Sequence, residues 1–302
     1  MGANISIIIP KQEIKLADLK GKKIAIDTYL ELYQFLRTMP TLTDSQGRIT
    51  THLAGLFFRT THFMTLGIKP CFVLDGPLLE IERHRHLVRD GAGVPYQVIR
   101  PRETETITEE IIKSTIEFLK LLGVPVVQSP SEGEAQAAYM ARRGDVWAVG
   151  SQDFDSLLFG APRMIYNLTL AERRRTVSDF VHIKPYLIKL RRVLRELEIS
   201  HDQLIVLAIL TGTDYNPNVL GIGPKSALNL VRKYKSFGNL FRKVGWNYLY
   251  NWKEIFEHIK TMPVTSDYKL KWRKIDKKAL KKFLCKEYEF NEKRVINVLN
   301  KL

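Results

Sequence analysis

Between residues 23 and 167 the chain alternates short, uninterrupted apolar runs with amphipathic stretches of ten or more residues, and no other feature narrows the fold as much. Residues 23–27 (Lys-Ile-Ala-Ile-Asp), 70–74, 124–128, 146–149 and 164–167 read as strands. Residues 28–38, 50–66, 107–122 and 132–143 read as helices. Strands joined through helices of this length need crossover connections and therefore pair in parallel. Helices then cover both faces of the sheet, so its strands are apolar throughout instead of alternating. The expected fold class is α/β, with a mostly parallel central sheet flanked by helices.

From about residue 185 the pattern is helical only, over 185–197, 201–211, 224–235, 251–259, 276–286 and 291–301. Two regions follow: 1–184, an α/β core with an insertion at about 78–106, and 185–302, a basic helical part. The insertion fits neither pattern, being rich in Arg and His and then in Gly and Pro. The chain carries 47 Lys/Arg against 32 Asp/Glu, a net +15, with a pI near 9.7. Such a balance points to a polyanionic partner, nucleic acid before an anionic membrane surface. Two cysteines, Cys71 and Cys285, exclude a disulfide scaffold. No apolar run is long enough to span a bilayer and no secretory signal is visible, so a soluble intracellular protein is expected. The N-terminal Met1-Gly2-Ala3-Asn4-Ile5-Ser6 fits an acylation pattern, but one too short and frequent to carry weight.

The acids fall at the ends of elements. Asp27 and Asp75 close the first two strands, Glu132 and Glu134 open a helix after the third, and Asp153 and Asp155 follow the fourth. Asp214 follows the apolar helix at 204–211. Parallel strands end along one edge, where α/β proteins bind ligands, so these acids converge. Seven uncompensated carboxylates in one crevice would repel one another; a hard divalent cation, Mg²⁺ or Mn²⁺, relieves this. Asp153 and Asp155 share a face if the chain there is extended. Ser131 is a candidate N-cap with Glu134 at N3, so Glu134 is either half of a capping box or a metal ligand. Asp75 and Asp214 each have a bland alternative as turn residues.

Leu220-Gly221-Ile222-Gly223-Pro224-Lys225 lies between two helical stretches, a helix–hairpin–helix pattern over about 201–235. Glycines allow close backbone approach, and free N–H groups at the following helix start can hold a phosphate oxygen. Such an element grips the nucleic-acid backbone without reading sequence.

With these residues in view, the chain resembles the flap endonucleases of the XPG-type 5′ nuclease family, their archaeal members above all. The resemblance is carried by Ala25-Ile26-Asp27, Tyr33-Gln34-Phe35-Leu36, the stretch 44–60, Val73-Leu74-Asp75-Gly76, Pro130-Ser131-Glu132-Gly133-Glu134-Ala135, Ser151-Gln152-Asp153-Phe154-Asp155, Gly212-Thr213-Asp214-Tyr215 and Gly221-Ile222-Gly223-Pro224. It implies a structure-specific 5′ nuclease that cuts 5′ flaps at the junction of single strand and duplex, with 5′ exonuclease action, in DNA replication and repair. The chemistry it implies is two-metal phosphodiester hydrolysis. Asp27, Asp75 and Glu132 match ligands of the first ion, Glu134 reaches both, Asp153 and Asp155 match ligands of the second, and Asp214 helps to hold it. Tyr33 matches an aromatic that stacks on the nucleotide at the scissile phosphate, with core packing as its alternative. Arg59 and the N-terminal Gly2 match positions near DNA, and Gly221, Gly223 and Lys225 match a hairpin that grips duplex together with K⁺. A sliding clamp (PCNA) is an implied partner, although the family's clamp-binding peptide is not seen before Leu302. The family's long lysine-rich arch is shortened: 56 residues separate Asp75 from Glu132, and no lysine occurs between Lys69 and Lys113. Arg83 or Arg85 is the candidate for the arginine that steers the scissile phosphate. Sister nucleases acting on gaps, bubbles or four-way junctions, and a non-catalytic DNA-binding module, are the competing readings.

Overall fold

The computed structural model describes residues 3, 5–76, 107–168, 173–175, 180–248 and 250–302. Gly2, Arg83, Arg85 and the insertion at 78–106 lie outside the described residues. In chain order the elements are β1 (Gln12–Glu13), β2 (Lys23–Asp27), α1 (Thr28–Thr38), α2 (Thr51–Thr65), β3 (Lys69–Leu74), α3 (Glu109–Leu121), β4 (Val126–Gln128), α4 (Gly133–Arg143), β5 (Ala148–Gly150), α5 (Asp155–Leu158) and β6 (Arg163–Tyr166). After a small antiparallel pair, β7 (Arg173–Arg175) with β8 (Phe180–His182), come β9 (Tyr186–Lys189), α6 (Leu190–Glu196), α7 (His201–Thr211), α8 (Pro224–Lys233), α9 (Phe237–Lys243), α10 (Trp252–Lys260), α11 (Lys277–Lys282) and α12 (Glu292–Leu299).

The main sheet has the order β1-β9-β6-β5-β2-β3-β4. Its inner pairs β2–β3, β2–β5, β3–β4 and β5–β6 are parallel, while β9 and β1 close one edge antiparallel. Successive residues of β2 enter opposite cores, as the uninterrupted apolar run requires. Ala25, with Cys71, Val73 and Val149, packs under α4, α5 and α7. Ile24 and Ile26, with Phe72, pack under α1, α2, α3 and the C-terminal helices. The chain builds β2, β3 and β4 in one direction and then returns to place β5 on the other side of β2. The order therefore reverses between β2 and β5, and a crevice opens there at the carboxyl ends of the strands.

The helical stretch expected over 185–197 is corrected: residues 186–189 form β9 and only 190–196 are helical. A four-residue apolar run reads equally as strand or helix. Here the open edge of β6 decides, because Tyr186–Lys189 satisfies its backbone groups in the register Tyr166↔Tyr186 to Arg163↔Lys189. Helix α9, not expected from the sequence, adds Leu240 and Phe241 to the core beside Trp246 and Trp252.

Candidate active site

The seven acids arrive from five strand ends, helix starts or turns. Asp27 is both the last residue of β2 and the N-cap of α1, where its Oδ1 accepts from the Leu30 N–H at 3.1 Å. Asp75 directly follows β3, and its Oδ1 accepts from the Gly133 N–H at 2.6 Å, which ties it to the start of α4. A Cβ on Gly133 would lie 2.8 Å from that same oxygen, so a glycine between Glu132 and Glu134 is what lets the Asp75 carboxylate seat there. Glu132 is the N-cap of α4 but does not cap it; its Oε1 accepts from the Tyr215 hydroxyl at 2.5 Å. Glu134 is buried, and its Oε1 accepts from the hydroxyls of Ser151 and Ser156. Asp153 lies in the bend after β5, with its N–H on the Ser151 hydroxyl at 2.9 Å. Asp155 opens α5, buried, and its Oδ1 accepts from the Ala3 N–H at 2.9 Å.

Two expectations are corrected here. Ser131 does not cap α4; its hydroxyl points to the Met262 sulfur at 3.2 Å, and Glu132 takes the N-cap position. Glu134 is therefore turned into the crevice and is not half of a capping box. Residues 152–154 are bent, not extended, so Asp153 and Asp155 come together through the bend and the first turn of α5. One carboxylate oxygen from each of Glu134, Asp153 and Asp155 lies within 4.8 Å of the others.

The electrostatics join all seven acids. Burial, then the Asp75 charge, pushes the Asp27 carboxyl well above the usual carboxylate range, and Asp153 adds to it. Glu134 is pushed up by burial and then by Asp153, Asp27 and Asp155. Asp155 is pushed up by burial and then by Asp153 and Asp214, with Glu132 contributing. Asp214, in the turn after α7, thus reaches the cluster through its field. The hydrogen bonds to Glu134 and Asp155 come from hydroxyls and an amide, which orient a carboxylate without neutralising it. An all-oxygen donor set of clustered, mutually repelling carboxylates fits a hard divalent cation.

Along one side of this crevice runs α1. Tyr29, next to the acid edge, has its hydroxyl pushed up by burial and then by Asp75. Tyr33, one turn on, is 42% exposed, so the alternative of core packing fails for it. The Arg59 guanidinium is paired with the Glu31 carboxylate, 3.0 Å from Gln34 Oε1 and over the Phe35 ring at 4.4 Å, and braces α1 on α2. The hairpin lies at the surface, with Leu220 94% exposed and Gly221 at φ 75°. Gly223 is the N-cap of α8, followed by Pro224 at the first helical position, and Lys225 is exposed. A Cβ on Gly223 would meet nothing within 4 Å, and its φ of −92° suits any residue. Nothing inside the fold requires glycine there.

Tyr29, Ser151, Ser156 and the Ala3 amide were not singled out from the sequence as parts of the site. Only Tyr29 leaves a signal, as the residue one turn before Tyr33 on a helix that opens at an acid. The others act through contacts between segments distant in the chain. No helix among the described residues is long and apolar enough to cross a membrane.

The family model described as XPG N-terminal domain matches residues 5–92, and the one described as XPG I-region matches residues 123–214. Flap endonuclease 1 of Thermococcus onnurineus is 44% identical over 325 positions, covering 100% of this chain and 94% of the relative. Flap endonuclease 1 of Pyrococcus furiosus is 45% identical, covering 100% of this chain and 95% of that protein. Among solved structures, flap endonuclease-1 from Methanococcus jannaschii superposes with a TM-score of 0.79 at 37% identity, covering 99% of this chain and 97% of that one.

Proposed function

The chain belongs to the flap endonuclease family, and from that membership and the seven converging acids we propose that it is a structure-specific 5′ nuclease that cuts flapped DNA at the junction of single strand and duplex. The same site serves 5′ exonuclease action at nicks and gaps, in DNA replication and repair inside the cell. The observation that carries the reading is the carboxylate cluster of Glu134, Asp153 and Asp155, one oxygen of each within 4.8 Å of the others, with Asp27, Asp75, Glu132 and Asp214 around it at the sheet's switch point.

Two Mg²⁺ ions, for which Mn²⁺ substitutes, would supply the charge neutralisation and water activation that phosphodiester hydrolysis needs. Asp27, Asp75 and Glu132 would hold one ion, Asp153 and Asp155 with Asp214 would hold the other, and Glu134 would serve both. The protein's own contribution is orientation. The Leu30 and Gly133 amides, the Ala3 amide and the Ser151, Ser156 and Tyr215 hydroxyls aim five of these carboxylates before any ligand arrives. Tyr33 offers an exposed ring beside the acids on which a base can stack. The hairpin at Gly221–Lys225 would grip duplex backbone through the free N–H groups that follow Pro224 at the start of α8, and K⁺ held there would supply positive charge towards the phosphates. Its bare Gly223 matches a phosphate that must come close. The α/β part, whose last strand is β9, thus carries six of the acids, and the helical part after it carries the hairpin and Asp214. The sliding clamp is proposed as a partner on the family resemblance alone.

The match to the Thermococcus relative spans 325 positions against 302 residues here, so at least 23 positions (325 − 302) of that comparison have no counterpart in this chain. This supports a shortened form and keeps junction choice as the variable to test. The test is Mg²⁺-dependent cleavage of a 5′-labelled double-flap DNA, beside the same DNA with a blocked 5′ end and a four-way junction. Cutting near the flap base, lost in Asp153→Ala, is the expected result. No Mg²⁺-dependent cleavage of any of the three would overturn the reading, and preference for the four-way junction would move it to a sister activity.

A further inference from the structure

The hydroxyl of Tyr215 donates to Glu132 Oε1 at 2.5 Å across 83 positions of sequence. That length is typical of a charge-assisted O–H···O⁻ bond. Glu132 stands at the N-cap of α4, yet its side chain makes no cap hydrogen bond. Tyr215, by contrast, is held on every side. It is 4% exposed, and the His258 ring packs edge-on against it at 4.7 Å and 80°. Its N–H rests on the Thr213 hydroxyl at 3.1 Å. The turn around it is closed by Thr213 N–H to Asn216 O at 3.0 Å and by Asn216 Nδ2 to Ile209 O at 2.7 Å.

We infer that Tyr215 is a positioning residue for Glu132: it holds one carboxylate oxygen so that the other is presented to a divalent cation. The inference rests on reading Glu132 as a metal ligand. A phenol suits the task better than a lysine or arginine, because it fixes the carboxylate while leaving its negative charge for the cation. A glutamate ordered in advance also does not lose its rotamer freedom at the moment of binding. The turn that fixes Tyr215 runs directly on to the hairpin at Gly221–Lys225, so one segment serves both the duplex grip and the acid edge.

The experiment is Mn²⁺ titration of the metal-free full chain, without DNA, read by electron paramagnetic resonance. It compares the unmodified protein with Tyr215→Phe, Glu132→Gln and the double variant. Phe retains the ring against His258, and circular dichroism reports the fold. Tyr215→Phe is expected to weaken Mn²⁺ binding about 10–100-fold, the usual effect of losing a partner that orients a ligand. The double variant is expected to bind no more weakly than Glu132→Gln, because Tyr215 acts through Glu132. A p-aminophenylalanine at 215, which restores a donor, is expected to recover affinity. Unchanged affinity in Tyr215→Phe, losses that multiply in the double variant, or no recovery with the restored donor would each overturn the inference. If Glu132→Gln itself binds Mn²⁺ normally, the ligand reading of Glu132 fails, and the inference falls with it.

Discussion

Gly133 stands between two of the acids and touches a third, so adding a single methyl group there tests how finely the site is aimed. In Gly133→Ala the new Cβ would start 2.8 Å from Asp75 Oδ1 and 3.2 Å from the Val73 carbonyl oxygen. The second contact is tight against strand backbone that cannot yield far, whereas the carboxylate is a side-chain end. Restoring an ordinary contact of 3.4 Å moves Asp75 by roughly half an ångström and lengthens its 2.6 Å bond from the Gly133 N–H. Misplacement approaching 1 Å costs on the order of 100-fold in rate, and loss of an orienting partner about 10–100-fold. The expected drop in single-turnover cleavage of a 5′-labelled flap at saturating Mg²⁺ is therefore about 10–100-fold, or roughly 1.4–2.7 kcal/mol in the barrier. Thermal stability should change little, since alanine's better helix propensity at the start of α4, up to about 1 kcal/mol, is offset by the tight contacts of the new Cβ. Affinity for flap DNA in EDTA should not change, because the methyl group faces the acids and not the hairpin. A variant that cleaves within twofold of the unmodified protein would refute the claim that the Gly133–Asp75 contact aims the carboxylate.

Gly223→Val should lower the melting temperature only slightly, since its Cβ enters open space at an unstrained φ and only valine's poorer fit at an N-cap counts against it, while weakening duplex affinity several-fold in fluorescence anisotropy. Equal affinity would return the hairpin to a plain turn. His52, buried against the Ser114 hydroxyl, is held down to about 4 by burial, so between there and its ordinary 6.5 the unfolded chain binds the extra proton. Its contribution is complete above about 6.5 and is lost as pH falls towards 4, about 3 kcal/mol in all. Urea unfolding in EDTA should show that loss relative to His52→Gln, and parallel pH profiles for the two would contradict it. Asp27, Glu134 and Asp155 are shifted the other way, so without metal their contribution is full in acid and is lost as pH rises through their folded pKa values. The rise in melting temperature that Mg²⁺ produces over EDTA should therefore grow with pH; an increment that is flat with pH counts against the cluster as the metal site.

Much of this protein can be read from local sequence because its determinants are local. A strand buried on both faces must be apolar at every position, so 23–27 and 70–74 announce themselves, and crossovers between parallel strands bring Asp27, Asp75, Asp153 and Asp155 to one edge. The hairpin is legible for a similar reason, since Gly-Ile-Gly-Pro states its own backbone conformation and helix start. Other features depended on what the rest of the chain placed nearby. Residues 186–189 became a strand because β6 left an edge unpaired. Ser131 gave up the N-cap to Glu132, Glu134 turned to the hydroxyls of Ser151 and Ser156, and Arg59 paired with the buried Glu31. In each case a polar group chose among partners whose sequence separation conceals them, and burial raised the cost of leaving any of them unpaired. Local pattern therefore determined which segments carry the acids and along which edge they meet, while tertiary packing decided which oxygen each acid presents and which neighbour, Gly133, Ala3 or Tyr215, holds the other in place.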